Sequence, residues 1–238
     1  MKALILNSGL GSRMGDVTNT HPKCMTVLLE GETILSRQLK RLVLAGINEV
    51  IITTGYFDKV LTEYCYSLNL DINYEFVYNP RYAETNYIYS MYLAGKYAQD
   101  DILLMHGDLV FTDEVLNQLM LRKESCIPVS STVPLPEKDF KAVLSGKQVL
   151  KIGIEFFENA LASQPLYKLN KIDWLIWLNK INEFCTLGKT SCYAENALNE
   201  VLESFVLLAV DIENQLCNEI DNIEDLKNIR NRIMEMKA

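Results

Sequence analysis

Short apolar, β-branched runs alternate with segments of helical period through the first half of the chain, and no other feature restricts the fold as much. Ala3–Leu6 is a candidate strand, followed by a long loop to about Leu29. Thr33 then caps a helix whose Leu35, Leu39 and Leu42 share one face and which ends at Gly46. Glu49–Thr54 (EVIITT) reads as a strand closed by Gly55, Lys59–Ser67 as a helix, and Tyr74–Tyr78 as a third strand. A helix starts at Thr85 or Asn86, a fourth strand at Ile102–Met105 runs into His106-Gly107-Asp108, and Thr112 caps the next helix. Such an order predicts an α/β, three-layer, Rossmann-like fold: a mostly parallel sheet with helices on both faces.

The second half is less regular. Strands are expected at Ile127–Val133, Gln148–Phe156 and Phe205–Val210, and helices at Asp173–Cys185, Glu195–Glu203 and Ile223–Met236. Neither repeat nor flexible linker interrupts the 238 residues, so one domain is expected over 1–238, with Val133–Phe140 as a loop over the site.

The 23 basic and 31 acidic side chains leave a net charge of −8, which argues against a nucleic acid or anionic membrane held by bulk charge. Apolar runs all fall short of the ~20 residues that span a bilayer, and the N-terminus reads as a strand rather than a signal peptide. A cytoplasmic location is therefore expected. Six scattered cysteines without a CxxC pair, and only two histidines, make a zinc site unexpected. Such cysteines are usually small buried hydrophobes.

The strongest chemical signal is Leu6-Asn7-Ser8-Gly9-Leu10-Gly11-Ser12-Arg13-Met14, followed by Pro22-Lys23. Glycine lets backbone N–H groups approach phosphate oxygens, and Arg13 and Lys23 add positive charge. The dinucleotide fingerprint fails, because its third glycine would fall on Met14 and no helix opens directly after it. The P-loop fails too, lacking Gly-Lys-Ser/Thr. A bare glycine turn is structural about as often as not, but the preceding strand and the downstream Pro-Lys favour phosphate binding.

Taken together, L-x-x-G-x-G-S-R-M and the later P-K resemble the signature of the nucleotidyltransferases that activate sugar phosphates and small alcohol phosphates. Asn79-Pro80-Arg81-Tyr82 leading to Thr85-Asn86-Tyr87-Ile88-Tyr89-Ser90-Met91-Tyr92-Leu93 is similar to the phosphocholine cytidylyltransferase branch. Met105–Phe111 resembles the strand that ends in a metal-binding Asp, and Tyr193–Leu198 and Glu219–Leu226 resemble two C-terminal blocks. One departure stands out: the family usually has Ala-Ala-Gly or Ala-Gly-Gly where this chain has Asn7-Ser8-Gly9, which adds an amide where the base would lie.

The resemblance implies attack of an acceptor phosphate or phosphonate oxygen on the α-phosphorus of CTP, with pyrophosphate leaving and Mg²⁺ as cofactor. It also implies a nucleotide-binding half at about 1–130 and an acceptor-binding half at about 131–238. Asp108 and Asp221 become the metal ligands, although an isolated Asp after a strand is more often a cap or turn residue. Lys23 and Arg13 become the catalytic cations, against the plain alternative of solvated surface charges. Leu6, Asn7, Ser8, Gly9, Gly11, Ser12 and Gly107 would line the nucleotide, and Tyr82, Thr85 and Asn86 the base pocket, where core packing and helix capping are the competing roles. Lys141, with Lys138 as competitor, would reach the phosphates from the acceptor side. Tyr193 and Glu195 would face the acceptor; Trp174 and Trp177 are weaker candidates because their spacing suits a core stripe. His21 and His106 receive no role, since a phosphate nucleophile is already ionised. A phosphocholine-like or 2-aminoethylphosphonate-like acceptor fits this branch, a homodimer is possible, and a hexose-1-phosphate enzyme or an inactive nucleotide-binding protein are the alternatives.

Overall fold

A computed structural model describes residues 1–237, with the side chains of Ser12 and Lys237 outside that description. The first strand, β1 (Lys2–Leu6), alternates its side chains between two cores: Leu4 and Leu6 enter one, Ala3 and Ile5 the other. A strand buried on both faces reads as an unbroken apolar run, which is why KALIL shows no polar alternation. The loop after it is not featureless. It forms two 3₁₀ turns at Ser12–Thr18 and Lys23–Met25, then a small hairpin of β2 (Val27–Leu29) and β3 (Glu32–Thr33).

Helix α1 (Ile34–Leu44) begins where expected. The Thr33 hydroxyl accepts from the Ser36 N–H at 3.0 Å, and the Ser36 hydroxyl accepts from the Thr33 N–H at 2.9 Å. Strand β4 (Glu49–Thr54), helix α2 (Asp58–Ser67) and strand β5 (Asn73–Tyr78) follow, then α3 (Tyr87–Ala94), β6 (Ile102–His106), β7 (Leu109–Phe111) and α4 (Asp113–Met120). Strands β6, β1, β4 and β5 lie side by side and parallel, as the βα alternation predicts. Residues of α3 join the core beneath one face, and residues of α1, α2 and α4 the core beneath the other.

The rest of the sheet departs from the expectation of a mostly parallel arrangement. Strands β8 (Ser125–Ser130), β9 (Lys141–Ser145), β10 (Gln148–Gly153), β11 (Ala160–Ser163), β12 (Leu166–Leu169) and β13 (Leu207–Asp211) extend it to ten strands in the order β11-β9-β10-β13-β8-β12-β6-β1-β4-β5. Only β13–β8 is parallel in this part; β12 is antiparallel to both β6 and β8, and β9 to both β10 and β11. For the β9–β10 pair the cause is connection length. Parallel pairing needs a crossover of a dozen or more residues, whereas β9 and β10 are joined across Gly146-Lys147, with Gly146 at φ 59°. The fold is therefore mixed α/β, with a parallel block flanked by an antiparallel one.

Helix α5 (Lys171–Thr186) buries Trp174 and Trp177 completely. Their indole N–H groups donate to the carbonyls of Ala98 and Ala194, at 2.6 and 3.0 Å, so both tryptophans are core pillars and not acceptor contacts. Helix α6 (Ala194–Asn199) follows, and then β14 (Cys217–Glu219) pairs antiparallel with β7, Glu219 opposite Leu109. Helix α7 (Ile223–Lys237) packs Leu226, Ile229 and Ile233 against Met14, Leu28 and Val110, closing a third core beside the glycine loop. Among the described residues, no helix is long and apolar enough to cross a membrane.

Candidate active site

The carboxyl ends of β1 and β6 open into a cleft of about 640 Å³, the location where α/β sheets place ligands. The glycine loop forms one wall. Gly11 has φ 66°, and a Cβ there would stand 3.2 Å from the Lys23 Cβ, so glycine is what allows the loop to fold over Lys23.

Asp108 sits in the turn between β6 and β7, and Asp221 just after β14. The β7–β14 ribbon brings them together, and the Ile220 N–H donates to the Asp108 carbonyl at 3.0 Å. Lys23 reaches both carboxylates, with Nζ 2.6 Å from Asp108 Oδ2 and 2.8 Å from Asp221 Oδ1. Arg13 Nη1 lies 3.1 Å from Asp221 Oδ2. Burial pulls against a charged Lys23, but Asp108 and Asp221 outweigh it and raise its pKa above the ordinary value. Burial likewise opposes a charged Asp108, and Lys23 and His106 more than offset it, so its pKa lies below normal. The other oxygen of Asp108, Oδ1, is buried without a hydrogen-bond partner. An unpartnered carboxylate oxygen beside a second carboxylate suits a hard divalent cation, which commonly takes one or two carboxylates together with phosphate and water.

Gln38 was not anticipated from the sequence. It is 1% exposed on α1, and its amide Nε2 donates to the carbonyls of His106 and Leu109 at 2.9 and 2.8 Å. These two bonds span the Asp108 turn and hold it. The signal in the sequence is a Gln three residues after Leu35, on the face shared by Leu35, Leu39 and Leu42, where a polar side chain needs a partner. His106 also enters the site: its Nδ1 lies 2.8 Å from Glu219 Oε1. Burial pulls the imidazole down, but Glu219 and Asp108 push it up to about 9. His106, Asp108 and Glu219 each bring a potential ligand atom within 4.8 Å of the others.

Next to the glycine loop, Ser8 Oγ lies 2.6 Å from Ser90 Oγ. Asn79 donates to Ser90 and Thr85 and accepts from the Arg81 N–H, fixing the segment that carries Tyr82, Thr85 and Asn86 along the cleft. Asn86 also caps α3, its side chain accepting from the Tyr87 N–H at 2.7 Å, so capping and lining coexist. Leu6, Asn7, Gly9 and Gly107 line the same cleft. Ser12 was expected here as well, but its side chain lies outside the described residues.

The opposite end is aromatic. The Tyr87 ring packs against His106 with centroids 4.6 Å apart and lies 6.1 Å from Tyr193, which in turn meets Phe140 at 5.2 Å. Two expected acceptor residues do not reach the cleft. Glu195 is 2% exposed and accepts from the hydroxyls of Tyr87 and Tyr167, so it anchors the wall from behind. Lys141 is fully buried; its ammonium donates to the carbonyls of Pro136 and Asp139 at 2.6 and 3.1 Å and lies 4.2 Å from the centre of the Phe157 ring. It ties down the 131–140 loop, whose Lys138, Asp139 and Phe140 line the cleft instead.

Residues 3–149 match the MobA-like NTP transferase domain. The chain belongs to that family. Nucleotidyltransferases of this kind typically use a divalent metal, in keeping with the Asp108 and Asp221 pair. The chain is 27% identical to the choline-phosphate cytidylyltransferase of Haemophilus influenzae over 244 residues, covering 100% of this chain and 99% of that one. It is 30% identical over 131 residues to the CMP-5'-(3-aminopropyl)phosphonate synthase of Streptomyces rubellomurinus, covering 55% of this chain and only 21% of that longer protein. The fold is similar to that of the CTP:phosphocholine cytidylyltransferase of Streptococcus pneumoniae, with a TM-score of 0.78, 18% identity and 98% of each chain covered.

Proposed function

We propose that the protein transfers a cytidylyl group from CTP to a phosphate or phosphonate oxygen of a small acceptor carrying a cationic amine. The acceptor oxygen forms a bond to the α-phosphorus, the bond from that phosphorus to the bridging oxygen breaks, and pyrophosphate leaves. The observation that carries this reading is the junction in one cleft of the Lys23–Asp108–Asp221 cluster and the Tyr87–Tyr193–Phe140 wall. Nucleophile and target are both anionic, so positioning and charge neutralisation carry the catalysis and no strong base is required.

Arg13 and the backbone N–H groups of residues 9–11 hold the departing phosphates, and Lys23 sits against the α-phosphate. Mg²⁺ held by Asp108 and Asp221 would supply further neutralisation of the phosphates. Gln38 keeps Asp108 aimed at the cleft. Tyr82 and Thr85 flank the base. Tyr87, Tyr193 and Phe140 present aromatic faces, which attract a quaternary or primary ammonium group, and Lys138 takes the acceptor-side position first assigned to Lys141. Two relatives whose names specify choline-phosphate and aminopropylphosphonate chemistry point to the same acceptor class.

The test is pyrophosphate release with each of the four ribonucleoside triphosphates across amine-bearing phosphates, amine-bearing phosphonates and hexose 1-phosphates, with and without Mg²⁺. CTP with an amine-bearing acceptor is expected to give the largest kcat/KM. Turnover with hexose 1-phosphates alone, or none at all, would sink the proposal.

A further inference from the structure

Asn7 is 9% exposed, lines the cleft, and its amide Nδ2 has no hydrogen-bond partner. A buried amide donor left unpaired is destabilising, so its place in the lining of the cleft calls for a ligand oxygen. Its backbone is pinned, because the Asn7 N–H meets the Thr53 carbonyl at 3.2 Å and the Thr53 hydroxyl at 3.1 Å. Its side chain lies flat on Gly107: a Cβ on that glycine would stand 1.6 Å from Asn7 Oδ1. Gly107 is thus the space that admits the amide. The terminal torsion of Asn is broad, so an oxygen entering the cleft can draw the donor toward it.

Position along the cleft identifies that oxygen. On one side of Asn7, Ser8 leads through Ser90 and Asn79 to Thr85. Tyr82 belongs to the same side: both its Cβ and the Ser8 carbonyl oxygen lie within 3.0 Å of where a Cβ on Gly55 would stand. On the other side, Gly107 leads directly to Asp108 and Lys23. A nucleotide with its base at Tyr82 and Thr85 and its phosphates at Lys23 therefore lays its sugar over Asn7. We propose that the Asn7 amide donates to a hydroxyl of the ribose diol and makes the site selective for ribonucleotides. The inference rests on the nucleotide orientation proposed above. Asn7 is then a specificity-determining residue, and a hydroxyl, which both donates and accepts, suits an amide well.

The experiment compares CTP, 2′-deoxy-CTP and 3′-deoxy-CTP in wild type and Asn7→Ala, by kcat/KM with a fixed acceptor and by calorimetric Kd without one. Wild type is expected to disfavour at least one deoxy analogue by about tenfold or more, the weight of one hydrogen bond to a buried group. In Asn7→Ala that ratio should fall toward one. Alanine at this position is what the resembling family commonly carries, so the variant is expected to fold, and Asn7→Ser replaces it if melting shows otherwise. Equal use of all three nucleotides by wild type overturns the proposal. So does a ratio that survives the substitution, or a change confined to the CTP/UTP ratio. If no acceptor is turned over but CTP binds, the transferase reading fails while the Kd ratios still judge Asn7; if CTP does not bind, both fail.

Discussion

The two ends of the cleft solve opposite electrostatic problems. At the proposed phosphate end, charges from distant segments meet in the lining of the cleft: Lys23 touches Asp108 and Asp221, Arg13 touches Asp221, and one oxygen of Asp108 is left unsatisfied. At the proposed acceptor end, one carboxylate is hidden: Glu195 is enclosed by the hydroxyls of Tyr87 and Tyr167, and Tyr87, Phe140 and Tyr193 line the cleft. Displayed charge suits phosphate, which binds through ions and backbone dipoles. On the reading proposed above, charge concealed behind aromatic rings suits an ammonium group, which is attracted by the ring faces.

Removing a displayed charge should therefore harm chemistry more than folding. Asp108→Ala is expected to lower kcat/KM by at least about a hundredfold, the usual loss for one electrostatic group at a reacting centre, while the melting temperature moves little. Near-normal turnover in this variant would remove Asp108 from the site. Removing the concealed charge should do the reverse. Glu195→Ala leaves two buried hydroxyls unpaired and should cost about 3 kcal/mol, or roughly 6–12 °C in Tm for a chain this long; Glu195→Gln should recover most of that. A Glu195→Ala protein with unchanged Tm would erase the contrast between the two ends.

Sequence reasoning reached the two ends unequally. The glycine loop and Asp108 were legible because each follows an apolar strand, where a parallel α/β sheet puts its ligands, and Lys23 because Pro22-Lys23 follows the glycine loop at the spacing of the resembling family. The parallel block β6-β1-β4-β5 was legible for the same reason. The antiparallel strands β9, β11 and β12 were not, because they span four or five residues each and lack the helical spacers that announce parallel pairing. Lys141 and Glu195 were placed in the cleft by motif alone. Their burial depends on which way a short strand and a short helix face, and local pattern does not determine that. The role of Gln38 is not written in its own segment, because the carbonyls it holds belong to His106 and Leu109.

Smaller effects refine the comparison. Trp177→Phe keeps the ring packing 5.3 Å from Tyr167 but loses the bond to the Ala194 carbonyl. About 1 kcal/mol is expected, a Tm change of roughly 2–4 °C, with KM for the acceptor rising more than KM for CTP because Ala194 precedes Glu195. An equal rise in both would mean that the aromatic wall is not separately supported. The smallest effect concerns the thiols. Burial pushes Cys65 up to about 12 and Cys126 and Cys185 to about 11, and raises Cys24 and Cys217 as well. At pH 8 a thiol near 11 is only about a thousandth ionised. Iodoacetamide at that pH should leave these five unmodified in the native protein over an hour, as read by mass spectrometry. Rapid alkylation of Cys24 would show that the floor of the phosphate end opens to solvent.

The β7–β14 ribbon has a further consequence, in time rather than in space. Asp108 leaves the ribosome long before Asp221, and the two meet only when the strand at Cys217–Glu219 adds to Leu109–Phe111. A nascent chain that has emerged through β13 has all ten strands of its large sheet and the whole glycine loop, yet holds only one of the two carboxylates. On the reading proposed above, the carboxylate pair is therefore among the last parts of the site to assemble, completed when the C-terminal ribbon docks.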